Sequence, residues 1–294
     1  MALSKPFQGK AWYWIESSYS GGSVGTKYQI SDAILDAKID TGQINKSLRS
    51  ITDSRVTDFI STPSDFSFHI EWVEQANTGS LATLCIVRSS SCTLKSLAFA
   101  ISANTGTGNT PTTVLLKGAI AKNWNIKGTA NVDNEYICSA DFSCASLKTY
   151  AAAWTPPAEI NGVYAQFIKA GSIFKNSTTP LAFITNSVDI TVNNNLKDSW
   201  TCGFPWKKAS IPGALDITGS CDISMDDGGK TQIDAVLART ILTNIIVDTN
   251  TGGTYDKITL SNVVFDNTTL DVNISGDTII TSQPFTAKSI TIGA

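Results

Sequence analysis

The sequence predicts a mainly β protein made of two tandem copies of one unit, a β-sheet or sandwich with one short helix per copy. Three observations carry this. Apolar residues recur at every second position through most of the chain, the period of a strand with one buried face. Only 16% of residues are charged, and Ser, Thr, Asn and Gly take the place of the Glu, Lys and Ala that helices favour. The order of elements also recurs at a nearly constant spacing.

Residues 1–27 read as an N-terminal arm, aromatic in AWYWIE and then rich in Gly and Ser. Trp12, Tyr13 and Trp14 suit docking on a neighbour or on the chain's own body, or a carbohydrate platform. From Tyr28 the period is two. ILDAKID places Leu35, Ala37 and Ile39 on one face. The stretch TGQINKSLRSITDSRVTDFISTPS reads as a long irregular loop holding Arg49, Asp53, Arg55 and Asp58, and loops of that length are generally functional or partner-binding. DFSFHIEWV then aligns Phe66, Phe68, Ile70 and Trp72. TTVLLKGAIAKNWNIKGTANV sets Trp124, Ile126, Ala130 and Val132 against Asn123, Asn125, Lys127 and Thr129. Residues 148–180, with AAAWTPPAEING and KNSTTP, read as a crossover linker. The closing TTLDVNISGDTIITSQPFTAKSITIGA reads as a hairpin turning at Gly276-Asp277, followed by a final strand that leaves an open edge.

Two copies follow from the spacing. Ile39 and Val192 lie 153 positions apart, and the same offset carries Leu35 to Val188, Ala37 to Ile190, Ser67 to Ser220, Ile70 to Ile223 and Leu84 to Leu237. Further on it becomes 144, for Leu116 with Leu260 and Ile126 with Leu270, and then 143, for Tyr136 with Ile279 and Phe142 with Phe285. The helix is clearest in the second copy, where TQIDAVLARTI stripes Ile233, Val236, Leu237 and Ile241, and blurred in the first, TGSLATLCIVR. The units are residues 28–147 and 181–294.

The composition argues against several function classes. A net charge of −3 and a pI near 5.2 make a poor grip for phosphates, though they allow a surface that nucleic acid slides past. MALSKPFQGKAWYW has no apolar signal region and no apolar run approaches membrane-spanning length, so a protein made in the cytoplasm is expected. Six cysteines include no C-x-x-C, and His69 is the lone histidine, which argues against zinc sites and a catalytic triad. The cysteines read as small buried thiols, with a bridge between Cys85 and Cys92 as the other reading. SMDDGGKT has Ser224 where a phosphate loop needs its first glycine, and reads as a turn before the helix. No cofactor or metal is expected.

With the duplicated elements in place, the chain resembles the tail tube proteins of long-tailed, siphovirus-like viruses, in the class whose tube domain is duplicated. The segments that carry the likeness are ISDAILDAKIDTGQINKSLRSITDSRVTDFISTPSDFSFHIEW, ITNSVDITVNNNLKDSWTCGFPWKKASIPGALDITGSCDIS and YDKITLSNVVFDNTTLDVNISGDTIITSQPFTAKSI. The likeness implies β-sandwich units whose inner strands close into one barrel, and homotrimeric rings of pseudo-sixfold symmetry stacked into a tube. It implies tape-measure, terminator and tip proteins as partners, genomic DNA in passage, and a place in the virion tail after synthesis in the host cytoplasm. It also implies that the loops 42–64 and 195–216 reach neighbouring subunits. Arg49, Asp53, Arg55, Trp200, Trp206, Lys207 and Lys208 lie in those loops and become the expected inter-subunit contacts. An acidic lumen that repels phosphates would let DNA pass unheld. The rival reading is a carbohydrate-binding or adhesion β-sandwich on a virion or cell surface. An enzyme is argued against by the single histidine and the missing nucleophile motif.

Overall fold

In the computed structural model the described residues are 10–21, 26–31, 33–42, 45–49, 56–61, 65–75, 81–86, 88, 92–103, 112–129, 135–150, 174–176, 179–180, 185–202, 207–224, 234, 238, 240–248, 257–266 and 280–292. The first half supplies β1 (Lys10–Ile15), β2 (Tyr28–Gln29), β3 (Ile34–Asp40), β4 (Asn45–Arg49), β5 (Val56–Ser61), β6 (Phe66–Val73), the helix α1 (Leu81–Ile86), β7 (Leu97–Ala103), β8 (Thr112–Thr129), β9 (Ile137–Cys144) and β10 (Ser146–Tyr150). The second supplies β11 (Phe174–Asn176), β12 (Thr179–Pro180), β13 (Thr185–Asn193), β14 (Lys197–Ser199), β15 (Ala209–Ile211), β16 (Asp216–Ser224), β17 (Ile241–Asp248), β18 (Lys257–Phe265) and β19 (Ile280–Ile292). The protein is mainly β: fifteen strands join one antiparallel sheet, while β4–β5 and β14–β15 stand as separate hairpins.

The pairings of the first half are β1–β2, β1–β7, β3–β6, β4–β5, β6–β9, β7–β8, β8–β9 and β10–β8. Those of the second, among the described residues, are β11–β12, β11–β17, β13–β16, β14–β15, β16–β19, β17–β18 and β18–β19, in a similar order, with β18–β19 standing where the first half has both β8–β9 and β8–β10. The turns that leave β3 and β13 also match. Gly42 (φ 43°) donates its N–H to Asp40 Oδ1 at 3.0 Å, and Asn195 (φ 47°) donates to Asn193 Oδ1 at 2.9 Å. Gly and Asn are the residues that tolerate this left-handed backbone, and the carboxyl or amide two residues back closes the turn.

β8 organises the molecule. Its first part pairs with β7 and β10, and from Ile120 onward it lies beside β9 and β13. The change of partners falls at Gly118, whose φ of 64° and whose approach to the side chain of Ala145 leave no room for a Cβ. The carboxyl of Glu16 holds the bend, accepting the Gly118 N–H at 2.9 Å and the Ser96 hydroxyl at 2.7 Å. Burial raises the pKa of Glu16, and these hydrogen bonds oppose the shift.

Registers align the core in rows. Ala37, Ile70, Ala140, Trp124, Val192, Ile217 and Ala287 follow one another across β3, β6, β9, β8, β13, β16 and β19. The next row is Trp72, Cys138, Ile126, Ile190, Gly219 and Phe285. Facing this layer in the first half, Phe99 of β7 meets Phe68 at 5.1 Å and Phe142 at 4.7 Å between ring centroids. β7 pairs with neither β6 nor β9, so these rings pack across the fold. Gly219 leaves space for the ring of Phe285 directly opposite it. A methyl there would sit 2.5 Å from the carbonyl oxygen of Asp189 and against that ring. Gly219→Ala is therefore expected to destabilise the fold by about 1–3 kcal/mol, the usual cost of overpacking, read as a lower urea midpoint.

Several expectations change. Of the readings open for Trp12, Tyr13 and Trp14, the structure shows docking on the chain's own body: they are 0–3% exposed inside β1, which pairs with β7, and present no sugar platform. Leu35 does not join Ala37 and Ile39. A bulge between Ile34 and Asp36 turns Ile34 inward and leaves Leu35 52% exposed. The loops expected at 42–64 and 195–216 contain the hairpins β4–β5 and β14–β15. The last strand, expected after a separate hairpin arm, is one 13-residue strand that pairs first with β16 and then with β18. Ala130, Val132 and the turn at Gly276-Asp277 lie outside the described residues, as does SMDDGGKT beyond Ser224. Of the helix expected in the second copy, Ile233, Val236 and Leu237 lie outside the described residues, Ala238 N–H bonds to Asp234 O at 2.9 Å, and Ile241 opens β17 instead of joining a helical stripe. No helix among the described residues is long and apolar enough to cross a membrane.

Candidate functional site

The two halves meet where β13 pairs with β8, from Asn123 opposite Asn193 to Thr129 opposite Ser187. Alternation decides what each face of this seam carries, since directly opposed residues share a face. One face is the core described above. The other is polar. Lys38, His69, Asp141, Asn123, Asn193 and Asp216 form one row across six strands. Asp36, Glu71, Ser139, Asn125, Thr191, Thr218 and Thr286 form the next, across seven. Lys127, Asp189, Ser220 and Pro284 follow, then Thr129, Ser187, Asp222 and Ser282.

These four rows hold six carboxylates and two lysines besides His69, so the face is acidic in balance. Hydrogen bonds tie it together laterally. His69 Nδ1 lies 2.6 Å from Asp141 Oδ1, and Asn123 Nδ2 donates to Asp141 Oδ2 at 2.8 Å. Across the seam, Asn125 Nδ2 donates to Asp189 Oδ1 at 2.5 Å and to Thr191 Oγ1 at 2.8 Å, and Lys127 stands 3.6 Å from Asp189. The sheet has very different edges. Along its main path it ends in the two-residue strands β2 and β12, the latter with Pro180, which are poor templates for further pairing. β3 has seven residues and, among the described residues, pairs only with β6.

A second contact between the halves is built on Lys207. Its ammonium, 2% exposed, reaches Asp65, Asp198 Oδ2 at 3.0 Å and Ser143 Oγ at 2.5 Å. Ser210 Oγ donates to Asp198 Oδ1 at 2.6 Å. Burial would raise the pKa of Asp198, but hydrogen bonds from Ser210 and Lys207 outweigh it and hold the carboxyl below its ordinary value. The β14–β15 hairpin of the second half is thus anchored on the first. Beside it, Glu16 to Tyr19 and Thr93 to Ser96 face Ala209 to Pro212 across a cleft of about 370 Å³. Burial there pushes the Tyr19 phenol up to about 12.

The residues expected at inter-subunit contacts separate accordingly. Lys207 is engaged within the chain and is not a surface group. Trp200 is 43% exposed, and Lys208 is exposed with its backbone N–H bonded to Ser199 O. Arg49 falls on β4. Asp53, Arg55 and Trp206 lie outside the described residues. Reading the sequence missed Asp65, Ser143, Arg88 and Asn194, all of which join the halves. Their residue types are ordinary, and only for Asn194 was there a signal: the offset of 153 places it opposite Thr41, a change of chemistry at one site.

No protein-family model matches the chain, and no curated protein matches it either.

The thiols carry no bridge. Cys85, on α1, is buried and Cys92 is exposed, and both are free, as are the other four. Burial pushes the thiols of Cys85, Cys138, Cys144 and Cys221 up, Cys144 to about 12, which keeps them as unreactive thiols. A chromogenic disulfide reagent is expected to titrate Cys92 and Cys202 in the native protein and the remaining four only after denaturation. Fast reaction of more than two would place a buried thiol at the surface.

Proposed function

We propose that the chain is a structural virion protein, a duplicated tail tube subunit that assembles into stacked homotrimeric rings and gives genomic DNA its conduit. One observation carries the reading. Seven adjacent strands of the sheet, β3 to β19, run through both halves across the β8–β13 seam, with an acidic polar face and, among the described residues, an open edge at β3. The similar order of pairings in the two halves supports a duplication of one sandwich-like unit. If each half contributes the same sheet, a further copy of the chain can continue it at β3 as β8 continues it at β13. Three chains then give six units around a closed ring, which leaves no open edge. The acidic face would line the lumen, where it repels phosphates and supplies no counterion-release term to hold the duplex. Trp200 and Lys208 would meet the next ring. On this reading the chain has no catalytic task, and its further partners are the tape-measure, terminator and tip proteins of the tail.

Electron microscopy of the purified protein at rising concentration tests this. Hollow rings or tubes with threefold or pseudo-sixfold symmetry are the expected result. A monomeric particle at every concentration would overturn self-assembly. Sugar binding in that monomer would move the reading to an adhesion module.

A further inference from the structure

Asn194 stands one residue beyond β13, fully buried, with every polar group of its side chain used by the other half of the molecule. Its Nδ2 donates to Cys85 O at 2.9 Å and to Ala121 O at 3.1 Å. Its Oδ1 accepts from Arg88 at 3.0 Å, and its backbone N–H donates to Lys122 O at 2.9 Å. Cys85 O belongs to the last turn of α1, where carbonyls have no partner within a helix. Arg88 also donates to Gly213 O at 2.6 Å and so closes the neck through which the β14–β15 excursion leaves the sheet.

The corresponding position beyond β3 is Thr41, in the same turn geometry and exposed. A threonine has no amide to satisfy two carbonyls and a guanidinium together. A socket built for such hydrogen bonds discriminates strongly against an occupant that cannot make them, because its own buried groups are left unpaired.

We propose that Asn194, clasped by Arg88, is the residue that makes β8 accept β13 of its own chain and refuse β3 of a second copy. This rests on the reading that copies of the chain meet through β3. The chain needs such a device under that reading: β3 and β13 are related by the offset of 153, copies crowded in an assembling ring bring β3 near β8 edges, and exchange between them would produce irregular polymers in place of rings.

Disulfide trapping in the full-length chain, with Cys92 and Cys202 changed to serine, tests the assignment. N123C/N193C reports the native seam as a bond within one chain, since these positions are directly opposed. N123C/D40C reports β3 of another copy on β8. Within one chain these two positions are three strand spacings apart, about 14 Å, beyond a disulfide's reach. The second pair is expected to give no covalent multimer with native Asn194 and Thr41. Exchanging the two residues, N194T with T41N, is expected to raise multimer about tenfold or more and to reduce the native cross-link. Because N194T leaves buried groups unpaired and can cost the fold, T41N alone supplies a second readout in which the native seam is intact. Multimer above the parent supports the assignment. Multimer equal to the parent in T41N, or an unchanged native cross-link in a folded exchange variant, overturns it. Electron microscopy of the parent separates this from the assembly reading. Rings with no effect of the exchange retire Asn194 and keep the tube, whereas redirected cross-links in a chain that forms no rings do the reverse.

Discussion

Lys207→Ala is expected to lower the unfolding free energy by about 2–4 kcal/mol. Removing one partner of a buried ion pair costs about 3–5 kcal/mol because the remaining charge is stranded. Here the lysine is buried, but the side chains of Asp65 and Asp198 keep 56% and 29% exposure, so water recovers part of the loss. All three ammonium protons have acceptors, on Asp65, Asp198 and Ser143, and alanine replaces none of them. The pH dependence has a definite sign. The pKa of Asp198 is lowered in the folded chain, so its contribution is present above the ordinary carboxylate pKa and is lost as pH falls through the depressed value. Urea midpoints of wild type and Lys207→Ala should therefore differ most at neutral pH and converge in acid. Equal midpoints at neutral pH would mean that the β14–β15 hairpin is held by other contacts. Part of the same change should appear as faster proteolysis around residues 197–211, since the hairpin loses its anchor on the first half.

Proline placed in turn at Ala37 and at Lys38 is expected to separate folding from assembly. Along an antiparallel edge strand, successive N–H groups point alternately to the paired and the open side. One of the two substitutions removes a donor used by β6 and should cost about 3 kcal/mol of stability. The other removes a donor facing outward and should leave the monomer folded, because an edge tolerates proline on its open side. Under the tube reading that second variant loses rings and tubes, since β3 can no longer bond to another copy. Its circular dichroism should match wild type while sedimentation shows only the single chain. A folded outward-proline variant that still forms rings would remove β3 from the interface and with it the proposed ring closure. Charge substitutions on the polar face, such as Asp189→Asn, should by contrast leave assembly intact.

Much of the fold is legible in residue order. The alternation of Phe66, Phe68, Ile70 and Trp72, and of Trp124 and Ile126 against Asn123, Asn125 and Lys127, fixes which side chains enter the core, because a strand has a period of two whatever its neighbours are. The offset of 153 between Ile39 and Val192 is likewise read from sequence; at that offset the turns after β3 and β13 share a left-handed residue and a side-chain acceptor two residues before it. Where alternation misled, a local irregularity was the cause: the bulge at Ile34 and Asp36 is set by pairing with β6, and nothing in ILDAKID announces it.

Tertiary structure alone decided the rest. Gly118 lies unremarked within the alternation of TTVLLKGAIAKNWNIKGTANV, yet it is the bend that gives β8 two sets of neighbours. For Trp12, Tyr13 and Trp14 the sequence left docking on the chain's own body, docking on a neighbour and a sugar platform open, and they are core because β7 offers a complete edge to the segment that holds them. Lys207 looks like a surface charge beside Lys208 and is buried, because Asp65 and Ser143, distant in sequence, come to it from the other half. The period of a strand is a property of neighbouring residues, so sequence by itself determined the faces of the regularly alternating strands such as β6 and β8, and not the short hairpins β4–β5 and β14–β15. Partners across the seam depend on which edges meet in space, and that was settled only when the two halves folded against each other.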